Sequence, residues 1–70
     1  MNINVQIGLL MREERNKKKM SLQEVADKMN LGKTTISAYE LGKIAISVEN
    51  LQKYCEIVGC DFYKLMYKLK

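Results

Sequence analysis

Seventy residues, 47% hydrophobic and 29% charged, are too apolar for a disordered chain and long enough for one small domain, whose thin core buries about 60% of the unfolded surface. A net charge of +4 favours a polyanionic partner without requiring one. No stretch approaches the roughly 20 apolar residues of a membrane span, MNINVQIGLLM lacks the basic start and cleavage site of a signal peptide, and with no histidine and Cys55 and Cys60 five apart neither a zinc set nor a CxxC pair is present. The expectations are therefore a cytoplasmic location, no cofactor or metal, and no membrane partner.

Periodicity is helical throughout, and the absence of proline leaves no built-in breaker. The first helix is expected over about residues 5–17, with Ile7, Leu10 and Met11 as its apolar seam. Lys17-Lys18-Lys19 closes it, where cations suit the macrodipole. Ser21 followed by Glu24 is the capping-box signature of a second helix over 22–29, whose Val25, Ala26 and Met29 share one apolar face. After the short break Asn30-Leu31-Gly32-Lys33, a third helix covers 33–41. Its Ile36 and Tyr39 lie beneath a polar strip of Lys33, Thr34, Ser37 and Ala38, and Gly42 supplies a left-handed C-cap. The break is too short for two comfortable antiparallel helices. Two helices crossing steeply over such a turn form a helix-turn-helix, whose second helix can enter a DNA major groove.

Ser47 can cap a fourth helix over 48–58, with Val48, Leu51, Cys55 and Val58 inward, Tyr54 alongside and Gly59 as its stop. Asp61 can cap a fifth over 62–69, in which Phe62, Leu65, Met66 and Leu69 repeat at i, i+3, i+4 and i+7. The expected architecture is all-α, a compact five-helix bundle in one domain over 1–70. Cys55 and Cys60 sit among apolar residues near a helix end and read as buried structural thiols. A cytoplasmic compartment argues against a disulfide between them.

Three stretches in order, IGLLMREERNKKKMS, EVADKMNLGKTTISAYELGK and SVENLQKYCEIVGCDFYKLM, resemble the Cro and phage-repressor type of helix-turn-helix regulator, the XRE family. The resemblance spans about Ile7 to Leu69 and implies a lambda-repressor-like DNA-binding domain. It implies that Arg15 and Glu40 form a charged pair tying the first helix to the end of the third, a carboxylate near the core met by an Arg fork. Ala26 then sits where the second and third helices cross, and Ile36 and Tyr39 set the roll of the third. Lys33, Thr34, Ser37 and Ala38 face the bases. Lys33 and Thr34, at the end that reaches deepest, are the foremost readers. Phosphate contacts fall to Ser21 and Gln23, at the N-terminus of the second helix, and to Lys43. Four positions depart from the family pattern. Leu22 replaces a common glutamine, Gly32 a Ser or Thr cap, and Lys19 and Asn30 stand where glycine is usual. Asn tolerates the left-handed region that such a turn uses.

The functional expectation is a sequence-specific transcription regulator of a bacterial or phage-type element, acting as a repressor on double-stranded DNA. A monomer this small touches too few base pairs to select one genomic site, whereas a homodimer reads two half-sites about 34 Å apart. Phe62, Tyr63, Met66, Tyr67 and Leu69 are the candidate dimer surface, because the last helix carries more apolar area than a small core needs. Seventy residues leave no room for an effector domain, so no small-molecule ligand is expected. The rival reading is a protein-interaction module, an antitoxin or anti-repressor on the same fold, against which the basic third helix argues. An enzyme is not expected. Without histidine or a base beside either cysteine, acid–base and nucleophilic chemistry have little to work with.

Overall fold

Side-chain caps decide where four of the five helices begin. The computed structural model describes residues 2–69 as α1 (Ile3–Lys17), α2 (Leu22–Met29), α3 (Lys33–Leu41), α4 (Val48–Val58) and α5 (Phe62–Tyr67). Ser21 accepts from the Glu24 N–H at 3.0 Å while the Glu24 carboxylate accepts from the Ser21 N–H at 3.0 Å, a complete capping box. Ser47 and Asp61 each accept from the N–H three residues on, both at 3.1 Å. Asn2 accepts from the Asn4 N–H at 2.7 Å, which starts α1 two residues before the expected position 5. Gly32 precedes α3 with no side-chain hydrogen bond.

The first four helices end alike. Lys19, Asn30, Gly42 and Gly59 adopt left-handed backbone at φ 56°, 57°, 73° and 85°. The next N–H in each case reaches back five residues: Met20 to Arg15, Leu31 to Ala26, Lys43 to Ala38 and Cys60 to Cys55, at 2.9–3.2 Å. Lys19 and Asn30 do this without glycine. For Lys19 the left-handed region costs about 1–2 kcal/mol, whereas Asn tolerates it better. α5 is shorter than the expected 62–69. The Lys68 and Leu69 N–H groups close three-residue turns onto Leu65 and Met66, so the last turn tightens and the α-helix stops at Tyr67.

α3 lies between α1 and α2, while α4 packs on α1, α2 and α5. The buried core is Met11, Val25, Ala26, Ile36, Tyr39, Leu51, Tyr54, Cys55, Val58 and Leu65, with Ile7, Leu10, Met29 and Phe62 partly buried against it. Val48, expected inward, is 62% exposed. The first turn of α4 stands clear of the core, and burial begins only at Leu51. Among the described residues no helix is long and apolar enough to cross a membrane.

Two glycines set how closely α1 approaches α3. A Cβ on Gly8 would lie 2.6 Å from the Tyr39 carbonyl oxygen and overlap the Glu40 carbonyl. One on Gly42 would lie 2.6 Å from the Val5 Cα, in addition to its positive φ. Helix backbones thus meet where only hydrogen fits. Gly8→Ala should lower stability by at least about 2 kcal/mol, because backbone cannot yield as a side chain does. Lys19→Gly should raise it by about 0.5–1 kcal/mol through relief of left-handed strain. Urea unfolding of both variants measures the two signs.

Candidate nucleic-acid interface

The orientation of α3 is fixed from behind by a buried carboxylate. Glu40, near its C-terminal end, is 3% exposed. The Arg15 guanidinium of α1 donates to it through two nitrogens, Nε to Oε2 at 2.7 Å and Nη2 to Oε1 at 2.9 Å. The third nitrogen, Nη1, donates to the Met20 carbonyl at 2.9 Å, so the same side chain also holds the α1–α2 turn. From α4 the Tyr54 hydroxyl donates to Glu40 Oε2 at 2.7 Å, with the Met11 carbonyl oxygen also within 3.0 Å. Arg12 stands farther off, its Nε 3.7 Å from Oε1. Removing one partner of such a buried pair leaves a charge uncompensated, at a cost of about 3–5 kcal/mol.

These contacts move the titration of their donors. The hydrogen bond to Glu40 raises the Arg15 pKa above its already high ordinary value, against the opposing effect of burial. Burial first, and then the hydrogen bond to Glu40, pushes the Tyr54 hydroxyl far above the usual tyrosine range. Both groups keep their protons at any physiological pH.

With Ile36, Tyr39 and Glu40 turned inward, the opposite side of α3 faces solvent. Lys33 and Thr34 are exposed in its first turn, and Ser37 and Ala38 follow half-buried one turn on. The four form one outward strip, graded from its exposed N-terminal end. The Lys33 and Thr34 N–H groups have no helical acceptor, so free donors and the positive dipole end lie at the same end of α3 as the Lys33 side chain. Ala26 is fully buried on α2, which packs against α3.

The phosphate candidates differ in their freedom. Ser21 is exposed, but its hydroxyl and its N–H both serve the capping box. The Gln23 amide donates to Asp27 at 2.8 Å. At this helix start the Leu22 and Gln23 N–H groups are the ones without a helical acceptor. Lys43 is exposed beyond Gly42, and its neighbour Ile44 and the α3 residue Leu41 are exposed with it.

The α5 candidates divide. Tyr63 and Tyr67 are 76% and 82% exposed, one turn apart on one face. Phe62 and Met66 are partly buried against the core. Leu69 is half-buried and shares a groove with Leu9 and Leu10 of α1. Phe62 also meets Tyr63 edge-on, with ring centroids 5.4 Å apart.

Two residues of the scaffold behind α3 escaped the sequence reading. Tyr54 is expected only alongside the inward residues of α4, yet it is fully buried and is the partner of Glu40. The available signal is that a buried tyrosine hydroxyl needs a hydrogen-bond partner. Gly8 breaks no apolar seam, and its signal is only that a glycine inside a helix has a packing reason. Among the described residues no group of three or more acidic, cysteine or histidine side chains could hold a metal.

A capped helix, a left-handed turn and a second helix with its polar strip outward define a helix-turn-helix DNA-binding domain. Residues 11–65 match the helix-turn-helix family, and the chain belongs to that family in its XRE-type branch of DNA-binding transcription regulators. No curated protein matches the chain significantly in sequence. Among solved structures it is similar to the clp gene regulator ClgR from C. glutamicum, with a TM-score of 0.92 at 22% identity over 96% of this chain and 87% of that one. It is also similar to the restriction-modification controller protein C.AhdI from Aeromonas hydrophila, with a TM-score of 0.80 at 24% identity over 87% of this chain and 92% of that one. At these identities the likeness is one of fold.

Alkaline titration reports the buried bracket. The unfolded chain releases the tyrosine proton near pH 10, while folded Tyr54 retains it. Stability is therefore intact below pH 10 and falls as pH rises beyond it. One such group contributes a slope of up to about 1.4 kcal/mol per pH unit. Urea midpoints from pH 9 to 11.5 should fall less steeply above pH 10 for Tyr54→Phe than for the parent chain, and equal slopes would refute the assignment.

Proposed function

We propose that the protein is a repressor that binds a palindromic operator as a homodimer, with α3 in the major groove. The carrying observation is the exposed start of α3, Lys33 and Thr34, on a helix whose inner side is held by Arg15, Glu40 and Tyr54. Lys33 donates to guanine O6 or N7. The Thr34 hydroxyl serves either polarity and its methyl meets thymine. Ser37 and Ala38 offer a hydroxyl and an apolar contact one turn on. The N–H groups at the start of α2 take one phosphate and Lys43 another. Gln23 reaches a phosphate by exchanging its bond to Asp27, while Ser21 acts through the turn it caps.

Dimerisation uses α5. Tyr63 and Tyr67 present large rings to solvent around a shallow pocket with Lys64 and Lys68, and paired rings of this kind bury well against a second copy. Occupied operator excludes polymerase, and occupancy follows protein concentration without a small-molecule effector. The chain acts as a binding protein and not as an enzyme.

Sequences selected from a random DNA pool should show two half-sites with centres about one helical turn apart. Binding should weaken by roughly 0.9 log units per log unit of salt for each phosphate neutralised. Against the selected site, Lys33→Ala and Thr34→Ala should each lose about 1–3 kcal/mol with nonspecific affinity retained. Flat salt dependence rejects the phosphate contacts, and an equal loss on all sequences rejects base reading by α3. In sedimentation equilibrium a Tyr63→Glu, Tyr67→Glu double variant should run as monomer where the parent is a dimer. A dimer that survives both changes places the interface elsewhere.

A further inference from the structure

The corner between α4 and α5 brings two cysteines together. Cys55 is buried at the start of the last turn of α4, Gly59 turns left-handed, and Cys60 follows, half-buried. The Cys60 N–H donates to the Cys55 carbonyl at 2.9 Å. Standard bond lengths then cap the separation of their α-carbons at about 6.8 Å, the upper limit a disulfide spans. This left-handed termination also turns its first and last side chains toward each other, a contact usually made by two apolar groups. Here both are thiols, and both line one surface pocket with Gln52 and Phe62. Burial first, and then the neighbouring Cys60 thiol, pushes the Cys55 thiol up to about 12.

Cys60 also borders a second surface pocket with Lys17, Lys64 and Lys68. The Lys18 ammonium lies close to Gly59, 3.6 Å from where a Cβ would be. Glu14 pairs with Lys17 and Lys68 at 3.1 and 3.7 Å, and Asp61 lies alongside. Cys60, half-buried at this surface while Cys55 is buried, is the thiol that a small oxidant reaches first.

We propose that Cys55 and Cys60 form a modification site for peroxides, closing reversibly to an intramolecular disulfide across the α4–α5 corner. The Cys60 thiolate attacks one oxygen of hydrogen peroxide. The O–O bond breaks, and the departing hydroxide takes a proton to become water. The Cys55 sulfur then displaces hydroxide from the Cys60 sulfenic acid. The S–S bond forms, the S–O bond breaks, and the Cys55 proton leaves with the hydroxide as a second water. Two thiols are oxidised and one peroxide is reduced. The disulfide fixes the start of α5 against α4, and the site does not depend on how α3 is used.

The full chain is treated with a slight excess of hydrogen peroxide under native conditions, denatured, alkylated with N-ethylmaleimide and weighed intact. The expected product is a monomer lighter by about 2 Da with no alkylation, restored by dithiothreitol to a species with two adducts. Two adducts after peroxide, a sulfinic acid on Cys60 with Cys55 still alkylated, or a disulfide-linked dimer would each overturn the proposal. The second measurement equilibrates the chain with reduced and oxidised glutathione, with and without guanidinium. A prearranged pair closes at an oxidised fraction at least about tenfold lower when folded, a shift of about 30 mV. No preference for the folded state also overturns it.

Discussion

A carboxylate taken out of water cannot be left alone, and Glu40 is where this chain meets that constraint. Its side chain is 1% exposed, and two helices converge to satisfy it. Arg15 arrives from α1 and Tyr54 from α4, and the spare nitrogen of Arg15 anchors the turn into α2 at Met20. One charge therefore sets the mutual placement of four helices. Hydrophobic packing of Met11, Ile36 and Tyr39 supplies most of the stabilisation nearby, but it is non-directional. The bidentate fork selects one arrangement among several that would bury similar area.

That division of labour runs along α3 itself. Its inner residues hold a geometry, and its outer residues are left without structural duty. Lys33 and Thr34 take no part in the core or the bracket. Ser37 and Ala38, half-buried, mark the edge where the two roles meet. On α2 the division is less clean. Ser21 and Gln23 are already engaged in local hydrogen bonds, so only the backbone there is uncommitted.

The local half of this structure was legible in the sequence. Ser21 with Glu24, Ser47, Asp61, Gly42 and Gly59 mark helix ends by chemistry acting over three to five residues, and the apolar periodicity located the core residues Met11, Val25, Leu51 and Leu65. The two errors at termini have the same local origin. Asn2 adds a cap that the apolar pattern does not see, and α5 tightens before its period runs out. Val48 kept the right spacing but lay beyond the end of the core, which spacing cannot report. Tyr54 and Gly8 needed partners 14 and about 32 positions away, and no local pattern carries such information. The outward strip of α3 was visible as polar residues at helical spacing.

The approach of α1 to α3 at Gly8 has a consequence for how such a domain diversifies. The contact is made to main-chain atoms of Tyr39 and Glu40, and main chain is present whatever side chains α3 carries. The seat of the helix is thus indifferent to the lettering on its far side. New combinations at the exposed positions 33 and 34 can be tried one after another without renegotiating the fold. On the proposed reading of α3, exchanging a few outward residues changes the address on DNA while the architecture is inherited intact.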